Sequence, residues 1–126
     1  LPWVMENVMG APLRMPIILC GLMFKLGVLR HRLFESSVMI LAPFHPRHPA
    51  GNLTGAGAGY SDGSRQFVCV AGNNFNRDAG AKAMEINWMK RPEMAQAIPP
   101  AYTEFIGHQL IRAIEAAEWI AEKEAA

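Results

Sequence analysis

Glu6 and Asn7 close an apolar run, Pro2-Trp3-Val4-Met5, and are followed by the β-branched Val8. Trp3, Val4 and Met5 suit a buried strand, and in open α/β sheets ligands sit just beyond the carboxyl ends of strands, where Glu6 and Asn7 would project. A plainer reading makes Glu6 a charge near the start of the next helix, because acidic residues favour that end of the helix dipole. Spacing alone leaves both open. A second pair with chemical potential is Arg30 and Arg32, in the run Val28-Leu29-Arg30-His31-Arg32-Leu33-Phe34-Glu35. Its period of two predicts a strand with one basic face. The two guanidinium groups would then point the same way, ~6.6 Å apart, and could bracket a phosphate, or a phosphate and a base. On this segment alone the commoner reading is that they are the solvated cations that guard an edge strand.

His45 and His48 stand three apart in His45-Pro46-Arg47-His48-Pro49. No carboxylate or cysteine lies near them in sequence to complete a ligand set, so no metal site is expected. Cys20 and Cys69 are far from each other and form no Cys-x-x-Cys pair, which signals neither a disulfide framework nor a zinc knuckle. Cys20 is expected to pack in the core and Cys69 to lie in a strand.

The elements that must position these residues follow in order. Gly10 and Pro12 break the first strand, and residues 12–26, apolar nearly all round, predict a helix packed on both sides and ended by Gly27. Residues 38–44 form another short apolar run, stopped by Pro43 and Pro46. Residues 51–64 are rich in glycine, yet Tyr60 stands where a G-x-G-x-x-G pattern needs its third glycine, so a surface loop is expected. The backbone amides of such a loop can approach a DNA backbone. Asn52-Leu53-Thr54 is formally a glycosylation sequon, with nothing else pointing to secretion. Phe67-Val68-Cys69-Val70 predicts a short strand, residues 72–80 a polar turn region, and residues 81–89 a helical turn or two. Pro100 suits the first turn of the longest helix, in which Phe105, Ile106, Leu110, Ile111, Ile114, Ala117, Trp119 and Ile120 recur at three- and four-residue steps. One face should pack on a core, Glu115, Glu118 and Glu122 should face water, and the Ala-Glu-Lys end should fray.

The 126 residues make one domain at most, and 51% apolar with 18% charged residues is the composition of a folded chain. A net charge of +1 gives no global pull toward nucleic acid or an anionic membrane. The distribution is uneven. Residues 25–48 carry Lys25, Arg30, Arg32 and Arg47 against Glu35 alone, whereas residues 104–126 carry Arg112 and Lys123 against five glutamates. The middle could meet phosphate and the tail should not. The most apolar run, residues 16–24, is far shorter than the roughly 20 residues of a membrane span. Leu1 falls almost inside a strand-like run, and the chain reads as a fragment lacking its N-terminal part.

Three motifs taken in order carry a resemblance. Glu6-Asn7-Val8 after an apolar strand, Arg30-x-Arg32-Leu33-Phe34, and Ala97-Ile98-Pro99-Pro100 opening a terminal helix that reaches Ile106-Gly107 resemble the DNA cytosine-5 methyltransferases. Leu19-Cys20-Gly21-x-Met23-Phe24 and Arg30-His31-Arg32-Leu33-Phe34-Glu35 look most like phage and prophage members. The resemblance spans nearly the whole chain and is weakest over residues 46–80. Val28 stands where the family usually has glutamine, and Ala95-Gln96 where it has Gly-Asn.

The resemblance implies an α/β fold, part of a Rossmann-like S-adenosylmethionine-dependent methyltransferase sheet, incomplete at its N-terminal side and ending in a long helix. Residues 1–45 would be the C-terminal half of the catalytic domain, 46–82 a short target-recognition-like loop region, and 83–126 the terminal motif and helix that rejoin the catalytic domain. Glu6 would bind the N3 edge and exocyclic amine of a cytosine flipped out of double-stranded DNA, helped by a buried site that favours its protonated form. Arg32 would hold the flipped nucleotide, Arg30 would support that geometry, Asn7 and Val8 would fix the loop, and Gln96, Ala97 and Pro99 would line the S-adenosylmethionine side. The family's nucleophilic cysteine and glycine-rich cofactor loop lie upstream of Glu-Asn-Val, so methyl transfer would need the missing N-terminal half as partner. A cytoplasmic location, in a bacterium or a phage-infected host, is implied, with no membrane partner. A non-catalytic DNA-binding module and an inactive remnant are the competing readings.

Overall fold

The computed structural model describes residues 1–48, 60–61 and 66–126. The expected glycine-rich loop and the sequon at Asn52 lie outside the described residues, save for Tyr60 and Ser61. The chain is α/β. Strands β1 (Val4–Asn7), β2 (Ile17–Leu19) and β3 (Arg32–Ser36) form one sheet, and β4 (Tyr60–Ser61) pairs with β5 (Gln66–Phe67). Helices α1 (Arg77–Met84), α2 (Arg91–Gln96) and α3 (Pro100–Ala125) follow. No helix among the described residues is long and apolar enough to cross a membrane.

β3 is central and antiparallel to both neighbours, with Glu6 opposite Phe34, Asn7 opposite Leu33, Ile17 opposite Phe34 and Leu19 opposite Arg32. Alternation then puts Val4, Glu6, Ile17, Leu19, Arg32 and Phe34 on one face. Phe34 and Leu19 are buried there, with Val4 and Ile17 packed against them. Tyr102 of α3 is fully buried on the same side, its ring 5.1 Å from that of Phe24 and 6.3 Å from that of Phe34. On the other face Met5 and Ile18 are exposed.

The helix expected over residues 12–26 does not form. Pro16 and the β-branched pair Ile17-Ile18 give strand β2 instead, and a 3-10 turn, Gly21–Phe24, follows. Lys25 closes that turn with a left-handed backbone, φ 58°. The loop curls back until the Gly21 amide donates to the Leu29 carbonyl at 2.7 Å. A Cβ at Gly21 would lie 1.8 Å from the Val28 carbonyl oxygen, so only glycine fits this approach. An apolar run with no clear period is ambiguous between buried helix and buried strand, and the prolines decide it here.

Two further boundaries differ from expectation. The helix expected at residues 81–89 starts earlier, at Arg77, because the Asn76 side chain accepts hydrogen bonds from the amides of Asp78 and Ala79. It ends at Glu85, whose left-handed φ of 58° leaves Trp88 and Met89 outside. Helix α2 lies where periodicity predicts none, although Pro92 in its first turn and Glu93, which accepts from the Lys90 amide at 2.8 Å, are start signals. The strand expected at residues 67–70 is only Gln66–Phe67, and Cys69 is exposed beyond it.

Helix α3 packs by its first turns. Tyr102 and Ile106 are buried, and Gln109 exchanges two side-chain hydrogen bonds with the Leu41 backbone, tying the helix to residues 38–44. Glu115, Glu118 and Glu122 face water, but so do Trp119 and Ile120, so the apolar face continues past the core that covers its start.

Candidate functional site

The three consecutive residues Arg30, His31 and Arg32 send their side chains to three different places. Arg32 opens β3, and its Nε donates to Glu6 Oε1 at 3.0 Å. The contact follows from register, because Glu6 faces Phe34 and Arg32 is the diagonal neighbour on the same face. Arg32 also donates through a terminal nitrogen to the His31 carbonyl at 2.9 Å. The Glu6 side chain is 36% exposed and that of Arg32 is 17% exposed. The buried carboxyl expected for Glu6 is therefore not what the fold provides, because β1 is paired on one side only among the described residues and water reaches its tip. No helix follows closely enough for Glu6 to cap. Asn7 turns its own Oδ1 to accept the Val8 amide at 2.9 Å, and Gly10, at φ 91°, completes the turn.

Arg30 departs from the expected alternation. It lies outside β3 with a φ of 33°, a left-handed value that breaks the period of two. Its guanidinium donates to three backbone carbonyls, those of Ala97 at 2.7 Å, Val70 at 2.6 Å and Ala95 at 2.8 Å. The pair of parallel arginines bracketing a phosphate is thus replaced by one ion-paired arginine and one inward clamp. Burial, and next the Arg32 charge, lower the Arg30 pKa to about 10, which leaves it charged at neutral pH. The Tyr102 hydroxyl donates to the Arg30 carbonyl at 2.9 Å, and burial holds that phenol well above its ordinary pKa.

This clamp brings the terminal motif against the arginine motif. Ala97 supplies a carbonyl to it and is half-buried, Pro99 is fully buried at the start of α3, and Gln96 is exposed. Of the three residues expected on the cofactor side, only Gln96 is therefore exposed. Glu6 borders an open depression of about 290 Å³ between β1, β3 and the first turns of α3, lined also by Ile98, Thr103 and Gly107.

His31 goes a third way, and here the fold assembles donors that sequence spacing does not bring together. The side-chain donor atoms of Cys20, His31, His45 and His48 all lie within 4.8 Å of one another. The missing cysteine is supplied by Cys20, distant in sequence but adjacent in space, because β2 is not a helix and its end lies beside the start of β3. Leu19 faces Arg32, so the next pair in that register is Cys20 and His31. Cys20 is fully buried and the three histidines are partly buried. Burial pushes the Cys20 thiol up, and burial followed by the neighbouring imidazoles lowers the His31 pKa. Cys69 has no part in this group.

Comparison of the chain with protein-family models, with curated protein sequences and with solved structures finds no match.

Proposed function

We propose that this chain is the C-terminal portion of a DNA cytosine-5 methyltransferase, in which Glu6 and Arg32 receive a cytosine flipped out of double-stranded DNA. The observation that carries the reading is the convergence of three motifs far apart in sequence. Glu6 meets Arg32 at 3.0 Å, and Arg30 reaches the carbonyls of Ala95 and Ala97 at the terminal motif. Three short motifs that resemble a family in order carry more weight when they also meet in space.

In the proposed chemistry a Glu6 carboxyl shares a proton with the N3 edge of the base and accepts from its exocyclic amine. This neutralises charge pushed into the ring when a thiolate adds at C6. Without a base, Arg32 holds the carboxylate in place; with a base, the guanidinium is free to turn to the base oxygen or the phosphate. Arg30 positions the strand and does not touch the base. The thiolate and the glycine-rich S-adenosylmethionine loop would come from chain outside these residues, leaving Gln96 as the cofactor-side contact here. The sheet suits such completion. All its described pairings are antiparallel, and the other edge of β1 has no partner among the described residues, which leaves an edge to which further strands can add.

The non-catalytic DNA-binding reading has less support, because Arg30 spends its hydrogen bonds on three backbone carbonyls and leaves only one arginine of the pair to meet phosphate. The test is methyl transfer from labelled S-adenosylmethionine to duplex DNA. The chain alone should give none, and joined to the segment encoded directly upstream it should be active. Glu6→Gln should then lower the rate about 100-fold or more, as loss of a group that stabilises developing charge does. Turnover by the 126 residues alone, or full activity of Glu6→Gln, would overturn the proposal.

A further inference from the structure

We infer that Cys20, His31, His45 and His48 form a four-ligand site for a divalent transition-metal ion, Zn²⁺ above all. Two pairs of donor atoms already have the spacing such an ion requires. Tetrahedral Zn²⁺ with bonds of about 2.05 Å to nitrogen and about 2.3 Å to sulfur sets its nitrogens about 3.3 Å apart and its sulfur about 3.6 Å from each nitrogen. His31 Nε2 and His45 Nε2 are 3.2 Å apart, and Cys20 Sγ is 3.6 Å from His48 Nε2. The other donor pairs lie within 4.8 Å, a gap that small side-chain rotations close.

The rings are also aimed. His45 Nδ1 lies 2.8 Å from the Pro46 carbonyl, and since a carbonyl can only accept, the proton is on Nδ1. That leaves the Nε2 lone pair of His45 facing the cluster, the outer hydrogen bond that metal-ligating histidines commonly make. The three imidazoles converge from two chain segments, with ring centroids 4.8 to 5.4 Å apart. Two ordinary hydrogen bonds, one per pair, would not bring all four donors around one point.

The ligand types choose the metal. A thiolate with imidazoles suits Zn²⁺ and Co²⁺ and disfavours Mg²⁺ and Ca²⁺, which take oxygen ligands. Four protein ligands close a tetrahedral site and leave no open position, so the ion holds structure and does not activate water. Binding exchanges the Cys20 thiol proton, which passes to solvent, for a thiolate–metal bond and adds three imidazole nitrogen bonds, with no change of oxidation state. The ion would pin the end of β2, the residue between Arg30 and Arg32, and the segment that leads out of residues 38–44. It would thereby fix the strand end from which both arginines spring.

The test uses the 126-residue chain, stripped with a chelator and titrated with Co²⁺ as a visible stand-in. One equivalent should give tetrahedral cobalt bands together with a near-ultraviolet thiolate-to-cobalt band, and be displaced by Zn²⁺. Cys20→Ser should remove the near-ultraviolet band, while Cys69→Ser should keep it. His45→Ala should weaken binding at least about tenfold, since even outer-shell losses cost that much, and His108→Ala should not. A saturating titration of the intact chain with no thiolate band overturns the inference whatever the variants do. So does a band that survives Cys20→Ser or vanishes with Cys69→Ser. The inference stands apart from the methyltransferase reading, because this titration needs neither DNA nor methyl donor.

Discussion

The Glu6–Arg32 pair and the Cys20, His31, His45 and His48 cluster share one strand end and differ in almost every physical respect. The ion pair sits on an open strand tip, more than a third exposed at its carboxylate, where an exchange of partners costs little. The cluster is built around a fully buried thiol, and its donors face one another. Between them Arg30 is sunk among carbonyls it cannot leave without orphaning them. A charge kept near water is available to a ligand, whereas donors withdrawn from water must satisfy each other or a common ion. Three neighbouring residues thus have three surroundings: Arg32 is ion-paired at an open strand tip, His31 lies among three other donor side chains, and Arg30 lies among backbone carbonyls.

The contrast can be broken at several points by urea unfolding of single variants. The largest effect should come from Gly21→Ala, which forces the loop after Cys20 away from the Val28 carbonyl. A loss of about 4 kcal/mol or outright failure to fold is expected, and a loss below about 1 kcal/mol would show that the loop under the cluster is slack. Arg30→Met should cost about 3 kcal/mol by leaving three carbonyls without their donor. Were it neutral, Arg30 would be no clamp. Tyr102→Phe should cost about 1.5 kcal/mol, the penalty for one partly buried carbonyl that loses its hydroxyl donor. Smallest of all, Glu6→Gln and Arg32→Ala should each shift the stability of the chain by less than about 1 kcal/mol, and less still in high salt. A loss above 2 kcal/mol in either would make the pair structural and erase the difference from Arg30.

Much of the frame was legible from local pattern. The strand ending at Asn7 and the helix from Pro100 follow from an apolar run stopped by Gly10 and from a three- and four-residue period begun by a proline. Elsewhere local pattern is silent. Residues 12–26 are apolar without a period, and only Pro16, Gly21 and Lys25 mark that the chain turns instead of coiling. Arg30 alternates with Arg32 in sequence, yet its left-handed backbone turns it away from the strand. Asn76 and Glu93 were readable start signals for α1 and α2.

The cluster was not legible because its cysteine is 28 residues from the histidine it touches. Ligand spacing can be recognised in sequence only when one turn or hairpin carries the donors. Here a strand, a loop and the register of β2 on β3 carry them.

Composition and short-range order by themselves determined that this chain folds, where its first strand and last helix lie, and which motifs it carries. Tertiary structure alone decided that Glu6 meets Arg32, that Arg30 turns inward, and that Cys20 joins three histidines. The physical reason is that strand register and loop closure set the distance between side chains remote in sequence, and both depend on which faces bury together rather than on any local run of residues.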